Sequence, residues 1–344
     1  MKILLFLALI PSVLFANSCD HKNLITTPDS PFNKIPVYDQ GRINICYAYT
    51  AAQLLDYELI KDGLSSRSIH PAWLALKDAA AMNKAEISLG STRRALTALF
   101  NDYNCHYDVV AKEIGKWAQT ANVSETEILT FLESFTQQFK RSGSLQVAFK
   151  DALKANEANC PPNATWNNLI PQLENIAAFT TTQIMSKLLI PKCNEYKAKI
   201  PAKNVKLANN LGPQFSSNIL NHLDQKNAPV EVSYCLNIWR NPTYTGRTSP
   251  SNLNFKSDCY MHSSLVVGKK KVNNSCHVLI RNTWGNGWDQ NNEKWNCVCK
   301  HKSTGQFVDD CTARTHNNGQ YSVEGCWVGE ALLNNNSHSS VVLD

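Results

Sequence analysis

The chain of 344 residues is short of charge: Asp, Glu, Lys and Arg together make up only 18% of it. That excludes a disordered polyelectrolyte and a charge-laced coiled coil. Its net charge of +6 is spread thinly. The one tight basic run, Lys269-Lys270-Lys271, precedes Asn273-Asn274 and reads as a solvated hairpin turn, not as a nucleic-acid patch. Beyond the first residues no stretch is long and apolar enough to span a bilayer. A zinc site is poorly provided for as well. Cys297-x-Cys299 with Cys311 and Cys326 lacks a second tight pair, so neither a metal nor a cofactor is expected.

What is present is apolar residue, cysteine and a leader. At 43% hydrophobic the chain can build a sizeable core, and its length allows two domains or one elaborated one. Lys2 is followed by an apolar run from Ile3 to Phe15 and then Ala16, which reads as a secretory signal peptide over residues 1–16. Asn17-Ser18-Cys19 does not fit a lipoprotein signal. Twelve cysteines agree with export to an oxidising place, secreted or periplasmic. Setting Cys46 aside leaves an odd number, so one further cysteine is free or joined to another molecule if the rest are bridged. Cys297 and Cys299 are too close to pair with each other, and each should reach elsewhere.

The stretch from Asp39 to Tyr49 organises the reading. Asn44 is a good helix N-cap, Ala48, Ala52, Leu55 and Leu59 recur at helical spacing, and Gly63 is a plausible stop. Cys46 therefore sits in the first turn, where unpaired N–H groups and the positive end of the helix dipole stabilise a thiolate. Gln40, on the loop leading in, carries a side-chain amide that could donate to an oxyanion near that sulfur. Taken alone, Cys46 would more often be half of a disulfide or a core cysteine. Two later segments bear on it. Met261–Gly268 reads as a strand carrying His262. His277–Trp288 reads as a second strand, ending in the Asn-x-Trp-Gly of Asn282-Thr283-Trp284-Gly285. Parity puts His262, Ser264 and Val266 on one face and Val278, Ile280 and Asn282 on one face. With Asn273-Asn274 as the turn, an antiparallel pair would bring imidazole and amide to the same surface. His277 is a competitor for His262.

Gln40-Gly41-Arg42-Ile43-Asn44-Ile45-Cys46-Tyr47-Ala48-Tyr49, His262 on a strand and Asn282-Thr283-Trp284-Gly285 together resemble the papain-like cysteine peptidases. Their signatures read Gln-Gly-x-Cys-Gly-x-Cys-Trp-Ala-Phe and Asn-Ser-Trp-Gly. Ile43 replaces the usual second cysteine, and Tyr47 and Tyr49 replace Trp and Phe; no reacting group is lost. The resemblance implies an α+β, two-lobed papain-like fold, with a helical left lobe carrying the nucleophile and an antiparallel β right lobe. It implies Cys46 as nucleophile, His262 as its proton partner, Asn282 as the orienter of the ring and Gln40 as oxyanion donor. Gly90, left from the family's Gly-Gly segment, would contact an extended polypeptide substrate or be a simple turn glycine. Trp284 would shield the His–Asn bond or serve only the core. His70, before Pro71, is read as a capping or surface residue at the start of a second helix.

Cys46 and His262 are about 216 residues apart, where roughly 130–150 is usual. The extra length looks helical. Ser124-Glu125-Thr126-Glu127 is a capping box ahead of a stripe of Ile128, Phe131, Leu132, Phe135 and Phe139, read as a buried face. Further helices are expected from Gln146 to Asn156 and from Thr165 past Pro171 toward Leu188. The expected organisation is a left lobe over 17–109, a helical insertion over 110–215 that covers the cleft or binds a partner, a right lobe over 216–334 and a loose tail over 335–344. Only a short arm separates the leader from Pro36, so no N-terminal inhibitory prodomain is expected. Ser216–Gln225 should be a short helix, and Val230, Val232 and Tyr234 a half-buried strand. The expected activity is a secreted endopeptidase without nucleic-acid or membrane partners. A Cys-His-Asn amidase or transpeptidase of cell-wall peptides, and a non-catalytic papain-like binding protein, are the alternatives.

Overall fold

The computed structural model describes residues 19–64, 68–101, 103–156, 161, 163–176, 178–198, 200–207, 215–240, 259–285, 295–311 and 320–343. The leader, Cys160, the loop over 241–258 and residues 286–294 lie outside them. Helices and antiparallel strands divide the chain. The helices are α1 (Cys46–Lys61), α2 (Pro71–Ala81), α3 (Thr92–Phe100), α4 (Tyr107–Ala121), α5 (Glu125–Ser142), α6 (Leu145–Asn156), α7 (Ile170–Ile176), α8 (Thr181–Glu195), α9 (Phe215–Lys226), α10 (Asn237–Arg240) and α11 (Glu330–Asn336). The strands are β1 (Lys22–Asn23), β2 (Asn104–Cys105), β3 (Lys197–Ala198), β4 (Val205–Leu207), β5 (Val230–Cys235), β6 (Met261–Val272), β7 (Ser275–Arg281), β8 (Cys297–His301), β9 (Phe307–Cys311), β10 (Tyr321–Gly329) and β11 (Ser337–Leu343). The main sheet runs β4-β11-β5-β6-β7-β10-β8-β9, with β1 added beside β6. This is the expected α+β class.

The first helix is the axis of the molecule. It starts at Cys46, but its N-cap is Ile45 without a side-chain bond, not Asn44. Asn44 is exposed, and its carbonyl accepts instead from the Leu89 amide at 3.2 Å. The C-terminal stop is as expected: Gly63, at φ +82°, lets the Gly63 and Leu64 amides return to the carbonyls of Ile60 and Leu59. The apolar stripe understates the burial, because every residue from Tyr47 to Leu59 is buried. Its polar residues are accordingly paired. Thr50 Oγ1 donates to the Ser263 carbonyl at 2.9 Å, Tyr38 donates to Asp56 at 2.7 Å, and Gln53 accepts from Arg281.

The long strand β6 turns through Asn273 and Asn274, both at positive φ, into β7. The lysines before the turn are not a solvated loop. Lys269 is turned inward, 1% exposed, with its ammonium on Asp224 at 2.6 Å. Lys270 lies over the Trp327 ring at 4.3 Å. The strand expected to be half-buried, β5, is buried on both faces: β11 and β6 cover its edges, and α1, α3 and α9 pack on it. Residues after Asn334 are not loose: they form α11's end and β11, which inserts between β4 and β5. The arm before Pro36 is likewise built in, with Leu24, Ile25, Phe32 and Ile35 in the core.

Between α3 and β4 stands the expected helical region. The Ser124 capping box is formed in both directions, and Phe131 and Phe135 are buried. Phe131 packs on Phe149 and Trp166. Leu145–Asn156 matches the second expected helix, but the third is broken into α7 and α8. Thr180 leaves the helical region and caps the new start, accepting from the Gln183 amide. The β2–β3 pairing and the Cys105–Cys193 disulfide draw the two ends of this region together, the first just before the expected boundary of 110 and the second short of 215. Four further disulfides join Cys19 to Cys276, Cys235 to Cys259, Cys297 to Cys326 and Cys299 to Cys311. Cys297 and Cys299 do reach elsewhere, and the four sulfurs weighed for zinc are all spent in bridges. Cys46 is the free thiol among the described residues.

Arg281 fastens the sheet to the helical side. Fully buried, it gives Nε to Gln53, Nη1 to Glu324 at 2.6 Å and Nη2 to the Ile35 carbonyl at 2.7 Å, and it lies over Phe32. Breaking such a pair strands a buried cation. Glu324→Ala is expected to lower stability by about 3–5 kcal/mol, read as a lower urea midpoint at unchanged slope. A loss of under about 1 kcal/mol would show that the guanidinium finds water once its partner is gone.

Candidate active site

Two loops that meet edge to edge frame the site. Before α1, the Gln40 amide donates to the Thr283 carbonyl at 2.8 Å, and the Gly285 amide donates to the Tyr38 carbonyl at 2.9 Å. Asp39 and Trp284 form a β-bridge between these bonds. The chain leading into Cys46 is thereby held against the chain leaving β7 through Asn282.

Cys46 is the first residue of α1 and half-buried. Three backbone amides favour its thiolate: its own, that of Tyr47 and that of Ser263 on β6. The first two belong to the helix start, whose amides lack partners within the helix. The third belongs to the residue after His262. Burial outweighs these donors and pushes the thiol up to about 11.

His262 is buried, and its Nε2 lies 2.6 Å from Asn282 Oδ1. That oxygen also accepts from the Thr283 amide at 2.7 Å. A backbone N–H can only donate, so the atom facing the ring is the oxygen, and Nε2 must carry the proton. Neutral His262 is then left with Nδ1 as its basic nitrogen. The Trp284 ring covers the imidazole at 4.6 Å and Tyr234 meets it edge-on at 5.7 Å. Burial drives the ring down to about 4, with the Asn282 bond pulling the other way.

A chain of hydroxyls holds Asn282 from behind. Trp239 Nε1 donates to the Tyr234 hydroxyl at 2.8 Å, Tyr234 to Ser264 Oγ at 2.8 Å, and Ser264 to Asn282 Oδ1 at 3.2 Å. The direction is forced, since the indole only donates and the amide oxygen only accepts. Ser264 follows from the parity that pairs it with His262. Tyr234 and Trp239 carried no signal of a role.

Gln40 is buried, with Oε1 accepting from Thr283 Oγ1 and Nε2 donating to the Ile43 carbonyl at 3.2 Å. One hydrogen of its NH2 remains. Gly90 packs over Tyr47: a Cβ there would fall 2.0 Å from Tyr47 Cζ and 2.5 Å from Asp78 Oδ2. Gly90 is therefore required for packing, whatever else it contacts. His70 is the cap of α2, accepting from the Ala72 amide, and its other nitrogen faces Glu125. His277, the competitor, has its Nδ1 near the Ser275 carbonyl on the far end of β7.

The burial of His262 is testable apart from catalysis. In Cys46→Ala only burial and Asn282 set the ring. Its NMR titration midpoint should fall near pH 4, where an exposed imidazole would titrate near 6.5. An unfolded chain binds that proton more readily, so stability is whole above about pH 6.5 and is lost as pH falls toward 4. A midpoint at or above 6.5 in the variant would overturn the buried assignment.

No family model matches the chain, and no curated protein does. Among solved structures it is similar to xylellain, a cysteine protease from Xylella fastidiosa, at 17% identity and a TM-score of 0.46, covering 94% of this chain and 85% of that one. It is similar to the bromelain protease from Ananas comosus, solved in complex with the E64 inhibitor, at 10% identity and a TM-score of 0.41, over 94% and 98%. A digestive procathepsin L2 proteinase from Tenebrio molitor larval midgut is similar at 12% identity and a TM-score of 0.38, over 90% and 67%. All three are papain-like cysteine proteases.

Proposed function

We propose that the chain is a secreted cysteine endopeptidase that cleaves polypeptides through a thioester on Cys46. One observation carries this reading: a free thiol stands at a helix start, its thiolate favoured by the amide of Ser263, and the residue before Ser263 is a histidine whose Nε2 is bound to an asparagine oxygen at 2.6 Å. The tautomer leaves Nδ1 to take the thiol proton. Burial makes either charge costly alone, so moving the proton from sulfur to imidazole creates both charges together, each offsetting the other.

The thiolate attacks the substrate carbonyl carbon, and the oxygen gains the negative charge. The remaining Gln40 N–H and the Cys46 amide stabilise it, an effect worth about 3–4 kcal/mol per donor. The imidazolium then protonates the departing amine, leaving an acyl group on sulfur. Water, activated by Nδ1, hydrolyses that thioester and frees the thiol. Asn282 keeps the ring in its working tautomer, and Trp284 shields the bond between them. Gly90 offers backbone to an extended substrate while it makes room for Tyr47. Five disulfides support export to an oxidising compartment. Among the described residues no helix is long and apolar enough to cross a membrane. The helical region from α4 to α8 is the surface for a cleft cover or a partner.

An epoxide thiol-protease inhibitor should label the folded, reduced protein, and labelling and casein hydrolysis should both vanish in Cys46→Ala. Absence of labelling would favour a binding protein. Release of peptides from peptidoglycan with denatured casein left intact would favour the cell-wall amidase.

A further inference from the structure

Glu231 is a carboxylic acid in the middle of β5, fully buried, on the face opposite Tyr234's neighbours. Among the described residues it has no ion-pair partner. Its Oε1 accepts from Ser263 Oγ at 2.7 Å and from Ser233 Oγ at 2.7 Å, and lies 3.3 Å from Thr92 Oγ1. Thr92, at the start of α3, also reaches the Tyr47 carbonyl at 3.2 Å and Ser263 Oγ at 3.2 Å. These contacts knit β5, β6, α3 and the first turn of α1 around one acid.

Ser263 is the hinge of the arrangement. Its hydroxyl is held by Glu231 and its carbonyl accepts from Thr50 of α1 at 2.9 Å. Thr92 carries the same network to the Tyr47 carbonyl, next to Cys46, so neither β6 nor the first turn of α1 can shift without breaking these bonds. The Ser263 amide favours the Cys46 thiolate, and the charge of the Glu231 carboxylate opposes it. We propose that Glu231 is a positioning residue for the nucleophile, fixing through Ser263 and Thr92 the strand beside His262 and the first turn of α1, and that its charge sets how readily the Cys46 thiol ionises. The proposal rests on Cys46 as the nucleophile of the reading above.

The groups facing this pair from each element bear out the arithmetic. Around Glu231 stand the hydroxyls of Ser233, Ser263 and Thr92 and the Val341 amide of β11, none of which titrates in the working range. Burial overrides them and pushes the acid up to about 7. Around Cys46 stand the three amides, Glu231 and the phenols of Tyr47 and Tyr234, which burial keeps protonated well above neutrality. His262 precedes Ser263 on β6. The sign follows: Glu231 is neutral below about pH 7 and spares the thiolate, and is charged above it and opposes the thiolate. Catalysis would then weaken on the alkaline side of neutrality.

The test isolates the thiol from the imidazole. In full-length His262→Ala protein, only amides and Glu231 set Cys46, and the pH dependence of its alkylation by iodoacetamide reads its ionisation directly. Adding Glu231→Gln should move the midpoint down by about one pH unit. Glu231→Met removes the hold on Ser263 and Thr92 together with the charge, so its midpoint should lie above that of Glu231→Gln. In otherwise native protein, Glu231→Gln should also remove the decline in kcat/KM above about pH 7. An unchanged alkylation midpoint in a folded variant overturns the proposal, even if only melting temperature moves. Alkylation requires no turnover. A shifted midpoint in a protein that cleaves no peptide would uphold the link between Glu231 and Cys46 and sink the peptidase reading alone.

Discussion

The structure depends on a buried helix being presented, by its tip, to one strand. Every side chain of α1 from Tyr47 to Leu59 is covered, so the helix has no solvent face along which to slide. Thr50, Gln53 and Asp56 meet partners on other elements, and its start faces β6. A helix start carries amides without partners in the helix, and here they and the Ser263 amide favour the same thiolate. The location of the thiol is thus set by burial of the whole helix, not by contacts of the cysteine alone.

The second constraint is the pairing of the loop before α1 with the loop after β7. The bonds of Gln40 and Gly285 and the bridge of Asp39 with Trp284 make one short ladder from two distant segments. Asn282 lies one residue from that ladder and Cys46 a few residues from its other rail. The Asn282 amide and the Cys46 thiol therefore share a mount, although 236 positions of the chain separate them (282 − 46). Thr283 contributes to both sides, binding Gln40 with its hydroxyl and Asn282 with its amide.

The sequence made the fold class and the local geometry of the site legible where residue type and parity coincide. His262 and Asn282 could be brought together on paper because strand alternation and an Asn-Asn turn leave little choice. The capping box at Ser124 declared a helix start because two side chains satisfy two orphan amides. Where tertiary contacts decide, the reading failed. Nothing local tells that Lys269 turns inward to Asp224, or that Ser337–Leu343 inserts as a strand between β4 and β5. Nor does anything local tell that Thr92 of α3 packs over Glu231 and buries that acid. Asn44 looked like a cap by type, but the Leu89 segment claims its carbonyl and leaves its side chain outside.

The arm before Pro36 shows what a long-range sulfur bond does for an otherwise marginal strand. With two residues in β1 and the exposed corner Thr27–Asp29 behind them, the arm offers a scissor point within easy reach of any protease. Cys19, however, is fastened to Cys276 beside the β6–β7 turn. A cut at that corner would leave the severed piece tethered in its groove, with Leu24 and Ile25 still seated, until a reductant freed it. Trimming at this end would be harmless as long as the surroundings stay oxidising.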